Sequence, residues 1–119
     1  MKPTVLVVDD DWAIRELLLN ALADEFDVLE ASDGIFALSE VIGKQRIDLI
    51  ITDLKMPELD GVDFIKNLPA DIPFIIISAY VESDSSREGL EHFYPAAVFG
   101  KPFKVAEVRG AVREALKKR

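Results

Sequence analysis

The chain has 119 residues, with 22 acidic and 14 basic side chains, a formal balance of −8. Half of it is apolar and it contains no cysteine, so disulfides, thiolate metal sites and a cysteine nucleophile are excluded. The length suits a single domain over 1–119, and the acidity makes nucleic acid a poor partner, because phosphate contacts need clustered Lys and Arg.

Strand and helix signals alternate along the chain. Thr4 to Val8 is a short, continuously apolar run rich in β-branched residues, the pattern of a buried strand. Ile14, Leu17, Leu18, Ala21 and Leu22 then fall on one helical stripe, with Asp11 placed to cap its start. Asp27 to Ala31 is a second strand, closed by the turn signal Ser32-Asp33-Gly34. Ile35, Leu38, Val41 and Ile42 mark a second helix, ended by Gly43.

Leu49 to Thr52 is a third strand, followed by a loop from Asp53 to Gly61. Val62, Ile65 and Leu68 predict a short third helix that stops before Pro69. Phe74 to Ile77 is a fourth strand, Ser83 to His92 a polar fourth helix, and Ala96 to Phe99 a fifth strand. Val105, Val108, Val112, Ala115 and Leu116 share one face of the last helix. The basic run Lys117-Lys118-Arg119 falls at its end, where cations favour the helix dipole.

This alternation implies an α/β fold, a doubly wound, flavodoxin-like parallel sheet in the order 2-1-3-4-5. Ligands in such sheets bind at the carboxyl ends of the strands. Strand one ends in Asp9, Asp10 and Asp11, strand three in Asp53, strand four in Ser78, and Lys101-Pro102 follows strand five. Adjacent first and third strands would gather Asp9, Asp10 and Asp53, and three carboxylates in one pocket repel. A hard divalent cation relieves that conflict, and Mg2+ binds through one or two carboxylates while keeping several waters that can face phosphate oxygens. One carboxylate could then attack a phosphoryl group, with Lys101 and Ser78 as donors to its oxygens.

These residues resemble the receiver domains of two-component response regulators (the CheY-like family). The resemblance rests on Leu6-Val7-Val8-Asp9-Asp10-Asp11, Asp53-Leu54-Lys55-Met56-Pro57 with Asp60-Gly61, Ser78-Ala79, and Lys101-Pro102-Phe103. It covers essentially the whole chain.

The resemblance implies roles for these residues. Asp53 matches the phosphoacceptor, served by a sensor histidine kinase or a histidine phosphotransfer protein. Asp10 matches the direct Mg2+ ligand, Asp9 a ligand acting through water, and Lys55 the residue that offers a backbone carbonyl. Ser78 matches the switch hydroxyl, and Lys101 the lysine that contacts phosphate, before a Lys-Pro bond that is commonly cis in the family. The readout surface would be the fourth helix, fifth strand and last helix, facing an output domain, a downstream protein or a second copy. Such a chain catalyses phosphotransfer and hydrolysis only on itself, and works in the cytoplasm. A long Lys55 and a bulky Tyr80 lead to the expectation of slow hydrolysis.

Three departures stand out. Val98 occupies the place, three residues before the lysine, where the family usually carries Tyr or Phe. Tyr94-Pro95 stands where a Gly-Ala pair is common, and the stretch from Asp53 to Ser78 is short. One alternative is a degenerate receiver that serves as a docking module. Another is a small aspartyl-phosphate phosphatase using Asp9 and Asp11. A flavin-binding module is disfavoured by three aspartates where its phosphate would sit. Trp12, beside the acids, is expected to report metal binding, and His92 has no triad partners.

Overall fold

The computed structural model describes residues 2–55, 61–79 and 93–117. Its chain order is β1 (Thr4–Val8), α1 (Trp12–Leu22), β2 (Asp27–Ala31), α2 (Gly34–Phe36 running into a π-helical turn, Ala37–Val41) and β3 (Leu49–Thr52). It continues with α3 (Gly61–Lys66), β4 (Phe74–Ser78), β5 (Ala97–Gly100) and α4 (Val105–Lys117). The helix expected over Ser83–His92, with Tyr80 and His92, lies outside the described residues.

The strands pair in parallel in the order β2-β1-β3-β4-β5, as the sequence predicts. Successive strand residues point to opposite faces, so an apolar strand feeds two cores. Leu6, Val8, Ile50 and Ile76 pack under α2 and α3 with Val41, Phe64 and Ile65. Val5, Val7, Leu49, Ile51, Ile75 and Ile77 pack with Leu18 and Leu22 of α1 and Val108 and Val112 of α4. Every residue of β3 and β4 is buried, whereas edge strand β5 alternates between half-buried and exposed positions.

Helix ends follow the expected chemistry. The Asp11 side chain accepts from the Ala13 N–H and caps α1, and Asp33 accepts from the Phe36 N–H and caps α2. Gly43 takes a left-handed φ of 88° just beyond α2, a conformation that costs glycine little. The second helix departs from the predicted regular stripe. Its final turn closes with an i to i+5 bond, from Ile42 N–H to Ala37 C=O at 2.8 Å. The wider turn directs Ala37 and Val41 inward, and Ile35 is left 45% exposed. The third helix is short, as expected, and ends at Lys66 rather than running on to Leu68.

Among the described residues, no helix is long and apolar enough to cross a membrane.

Candidate phosphoacceptor and metal site

Register places the acids. Val8 of β1 pairs with Thr52 of β3, and the Asp53 N–H extends that ladder to the Val8 carbonyl at 3.2 Å. Asp9 and Asp53 therefore leave adjacent central strands at one level. The Asp9 N–H continues the ladder on the other side, to Ala31 C=O at 3.1 Å. Ser78 pairs with Gly100, and the Lys101 N–H reaches the Ser78 carbonyl at 3.2 Å, which carries Lys101 to the same rim. The Lys101–Pro102 peptide is cis.

Asp9, Asp10 and Asp53 each present a carboxylate oxygen within 4.8 Å of the others. Asp9 and Asp53 are buried and Asp10 is exposed. Lys101 bridges the two buried acids, its Nζ donating to Asp53 Oδ2 at 2.7 Å and to Asp9 Oδ2 at 3.0 Å. The second oxygens are held by backbone: Asp53 Oδ1 accepts from the Lys55 N–H at 3.0 Å, and Asp9 Oδ1 from the Asp11 N–H at 2.9 Å. Ser78 is fully buried at the end of β4.

Electrostatics follow from this crowding. Burial pushes the Asp9 carboxyl above its ordinary value, and the Asp53 charge adds to that, against the hydrogen bonds from Asp11 and Lys101. Burial also works against the Lys101 ammonium. Its bonds to Asp53 and Asp9 together outweigh that cost, so its pKa is raised and the side chain is charged at neutral pH. One ammonium thus bonds two of three clustered carboxylates, a donor set of hard oxygens with net negative charge. Such a set could hold a metal ion.

Gly61 lies close behind the site. A Cβ there would lie 2.4 Å from Leu54 Cα and 2.7 Å from the Asp53 carbonyl oxygen, so Gly61 itself packs directly against the backbone that carries Asp53. The expected site residues Asp9, Asp10, Asp53, Ser78 and Lys101 all come to this end of the sheet, and Lys55 follows Asp53 with its N–H turned to that carboxylate. Trp12 begins α1 beside them and is 66% exposed. Val98 sits on β5 opposite Ile76, also exposed. The sequence does not single out Arg15, which bonds to the Asp9 carbonyl, since its second partner Glu30 comes from another strand.

Comparison with known proteins agrees with this geometry. The response regulator receiver domain family model matches residues 5–113. The chain belongs to that family. It is 35% identical to sporulation initiation phosphotransferase F of Bacillus subtilis, over 98% of this chain and 95% of that one. It is likewise 35% identical to the DNA-binding response regulator MtrA of Mycobacterium tuberculosis, of which it spans 52%. The receiver domain of the Francisella response regulator 1452 superposes with a TM-score of 0.83 at 31% identity, over 98% of each chain. The protein is therefore a receiver domain of the two-component response regulators, a family of signalling phosphoacceptors that work with histidine kinases or phosphotransfer proteins.

Proposed function

We propose that residues 1–119 form one receiver unit in which Asp53 accepts a phosphoryl group from the phosphohistidine of a sensor kinase or phosphotransfer protein. The observation that carries this reading is the Lys101 bridge between Asp9 and Asp53, which sets one ammonium against an acceptor carboxylate at a buried, acid-rich rim. In the transfer, an Asp53 carboxylate oxygen forms the new P–O bond as the P–N bond to the donor imidazole breaks. The imidazole nitrogen keeps the electron pair. The Lys101 ammonium and the Ser78 hydroxyl donate to the phosphoryl oxygens, where charge develops.

Asp10, Asp53 and the Lys55 carbonyl would hold Mg2+ directly, with Asp9 acting through water. The ion would neutralise phosphoryl charge and template the approach of the donor. The three-carboxylate donor set supports this choice of a hard ion. The aspartyl phosphate then biases the surface of residues 83–92, β5 and α4 toward a downstream protein, an output domain or a second copy. Val98, an exposed position on β5, favours a readout without the usual aromatic rotation. The protein acts in the cytoplasm, and turns over no substrate beyond its own acyl phosphate. Any DNA-binding output, such as the name of MtrA states for that protein, would belong to another domain or partner.

Labelling tests this. With acetyl phosphate and Mg2+, the wild-type chain should gain one base-labile phosphoryl group on Asp53, and Asp53→Asn should gain none. A label found on Asp9 would instead identify the phosphatase alternative.

A further inference from the structure

The Asp9 backbone is held from both sides. Its N–H donates to Ala31 C=O, and its C=O accepts from Arg15 Nη1 at 2.7 Å. Arg15 stands one turn into α1, with a side chain only 15% exposed. Its Nε donates to Glu30 Oε1 at 3.2 Å, so the guanidinium spans from β2 to the first residue beyond β1. The peptide that follows Asp9 is planar, so fixing its carbonyl also fixes the Asp10 nitrogen and the direction in which the chain leaves the strand. Asp10 and Asp11 are exposed, and Asp11 is tied to the start of α1 by its cap bond to the Ala13 N–H.

We infer that Arg15, oriented by Glu30, is a positioning residue for the metal site. By clamping the Asp9–Asp10 peptide, it aims both carboxylates at the ion without touching it. The inference rests on the Mg2+ reading above. Outer groups that orient metal ligands typically contribute about 10–100-fold in affinity.

The sign of the effect separates this role from the simple field of the guanidinium. Arg15 is a cation beside a cation site, so by Coulomb's law its removal alone should tighten Mg2+ binding. Loss of the clamp should weaken it. Lysine keeps the charge but lacks the planar fork that serves the Asp9 carbonyl and Glu30 together.

Calorimetric Mg2+ titration of the whole chain, with urea unfolding of each metal-free variant alongside, decides the matter. Arg15→Ala and Arg15→Lys should each weaken Mg2+ about tenfold, and Glu30→Gln should shift it in the same direction by less. Tighter binding in Arg15→Ala with wild-type affinity in Arg15→Lys would overturn the clamp in favour of the field. Unchanged affinity with a lowered urea midpoint would reduce Arg15 to a structural tie. If Arg15→Ala fails to fold, Arg15→Lys carries the decision. A wild-type chain that binds no Mg2+ would overturn the metal reading itself, whereas wild-type binding with indifferent variants overturns only the clamp.

Discussion

The β1–β3 pair carries buried aspartates at both of its ends, and they are treated differently. At the amino end stands Asp48, whose Oδ2 accepts from the Thr4 N–H at 2.8 Å and whose Oδ1 accepts from Arg46 Nε at 3.0 Å. At the carboxyl end, Asp9 and Asp53 share the ammonium of Lys101, with exposed Asp10 alongside. Asp48 has a cation of its own and ties the start of β1 to β3. The other end has more carboxylates than cations. Burial of an acid alone therefore does not mark a site, since both ends have it. The mark, among the described residues, is a surplus of clustered carboxylates over the ammonium that bridges them.

The sharpest way to break that contrast is to delete one partner at each end. Lys101→Ala should slow phosphoryl transfer from acetyl phosphate by about 10²-fold or more, as loss of a donor to developing charge does. It should also destabilise the metal-free protein, and Mg2+ should recover much of that loss by binding only the folded state. Asp48→Ala should do the reverse. It strands the Thr4 N–H and costs about 1–3 kcal/mol of stability, which Mg2+ does not restore, while transfer proceeds at the wild-type rate. Parallel urea melts and transfer assays, with and without Mg2+, check both.

A subtler effect concerns Asp9. Its folded pKa lies above the ordinary 3.8, chiefly because it is buried. A raised acid favours the folded state when protonated. Its contribution is therefore fully present below the unfolded value and is lost as pH rises through the folded one. A carbon-detected NMR titration of metal-free protein should show the Asp9 carboxyl titrating above 3.8, and saturating Mg2+ should pull it down. If Asp9 titrates at or below its ordinary value without metal, the carboxyl end is not overcrowded.

The smallest effect is expected on the flank. Arg113 of α4 forms a forked ion pair with Glu25 after α1, with Nε to Oε2 at 2.8 Å and a second bond from Nη2 to Oε1. The pair is open to solvent, so Arg113→Ala should barely move the urea midpoint, and salt should erase the difference. The Arg113 hydrogen bond lowers the Glu25 pKa. That modest contribution is present above the unfolded value and fades as pH falls through the folded one.

How far these features could be read in advance depended on whether their causes were local. Thr4 to Val8 and Phe74 to Ile77 announce buried strands through uncharged runs rich in β-branched residues, and Asp11 announces a cap by standing just before a helical stripe. The acids were legible because strand order carries each strand end to one rim. The π turn at Ala37–Val41 was not, since it depends on how α2 packs over the sheet. Arg15 with Glu30 and Arg46 with Asp48 were equally silent, because each pairing is settled by side-chain direction in the folded protein rather than by sequence pattern.

The Lys101 bridge joins residues 92 and 48 positions apart in the chain. No fragment ending before β5 can contain it. An unfinished or truncated chain has acids but no ammonium to set against them, and long-range contacts of this kind close only as the strands between them pair. The bridge is thus a property of the complete sheet. Acyl-phosphate formation at the proposed acceptor would then double as a check on assembly, strongly slowed in any chain that stops before Lys101 or is caught half-folded.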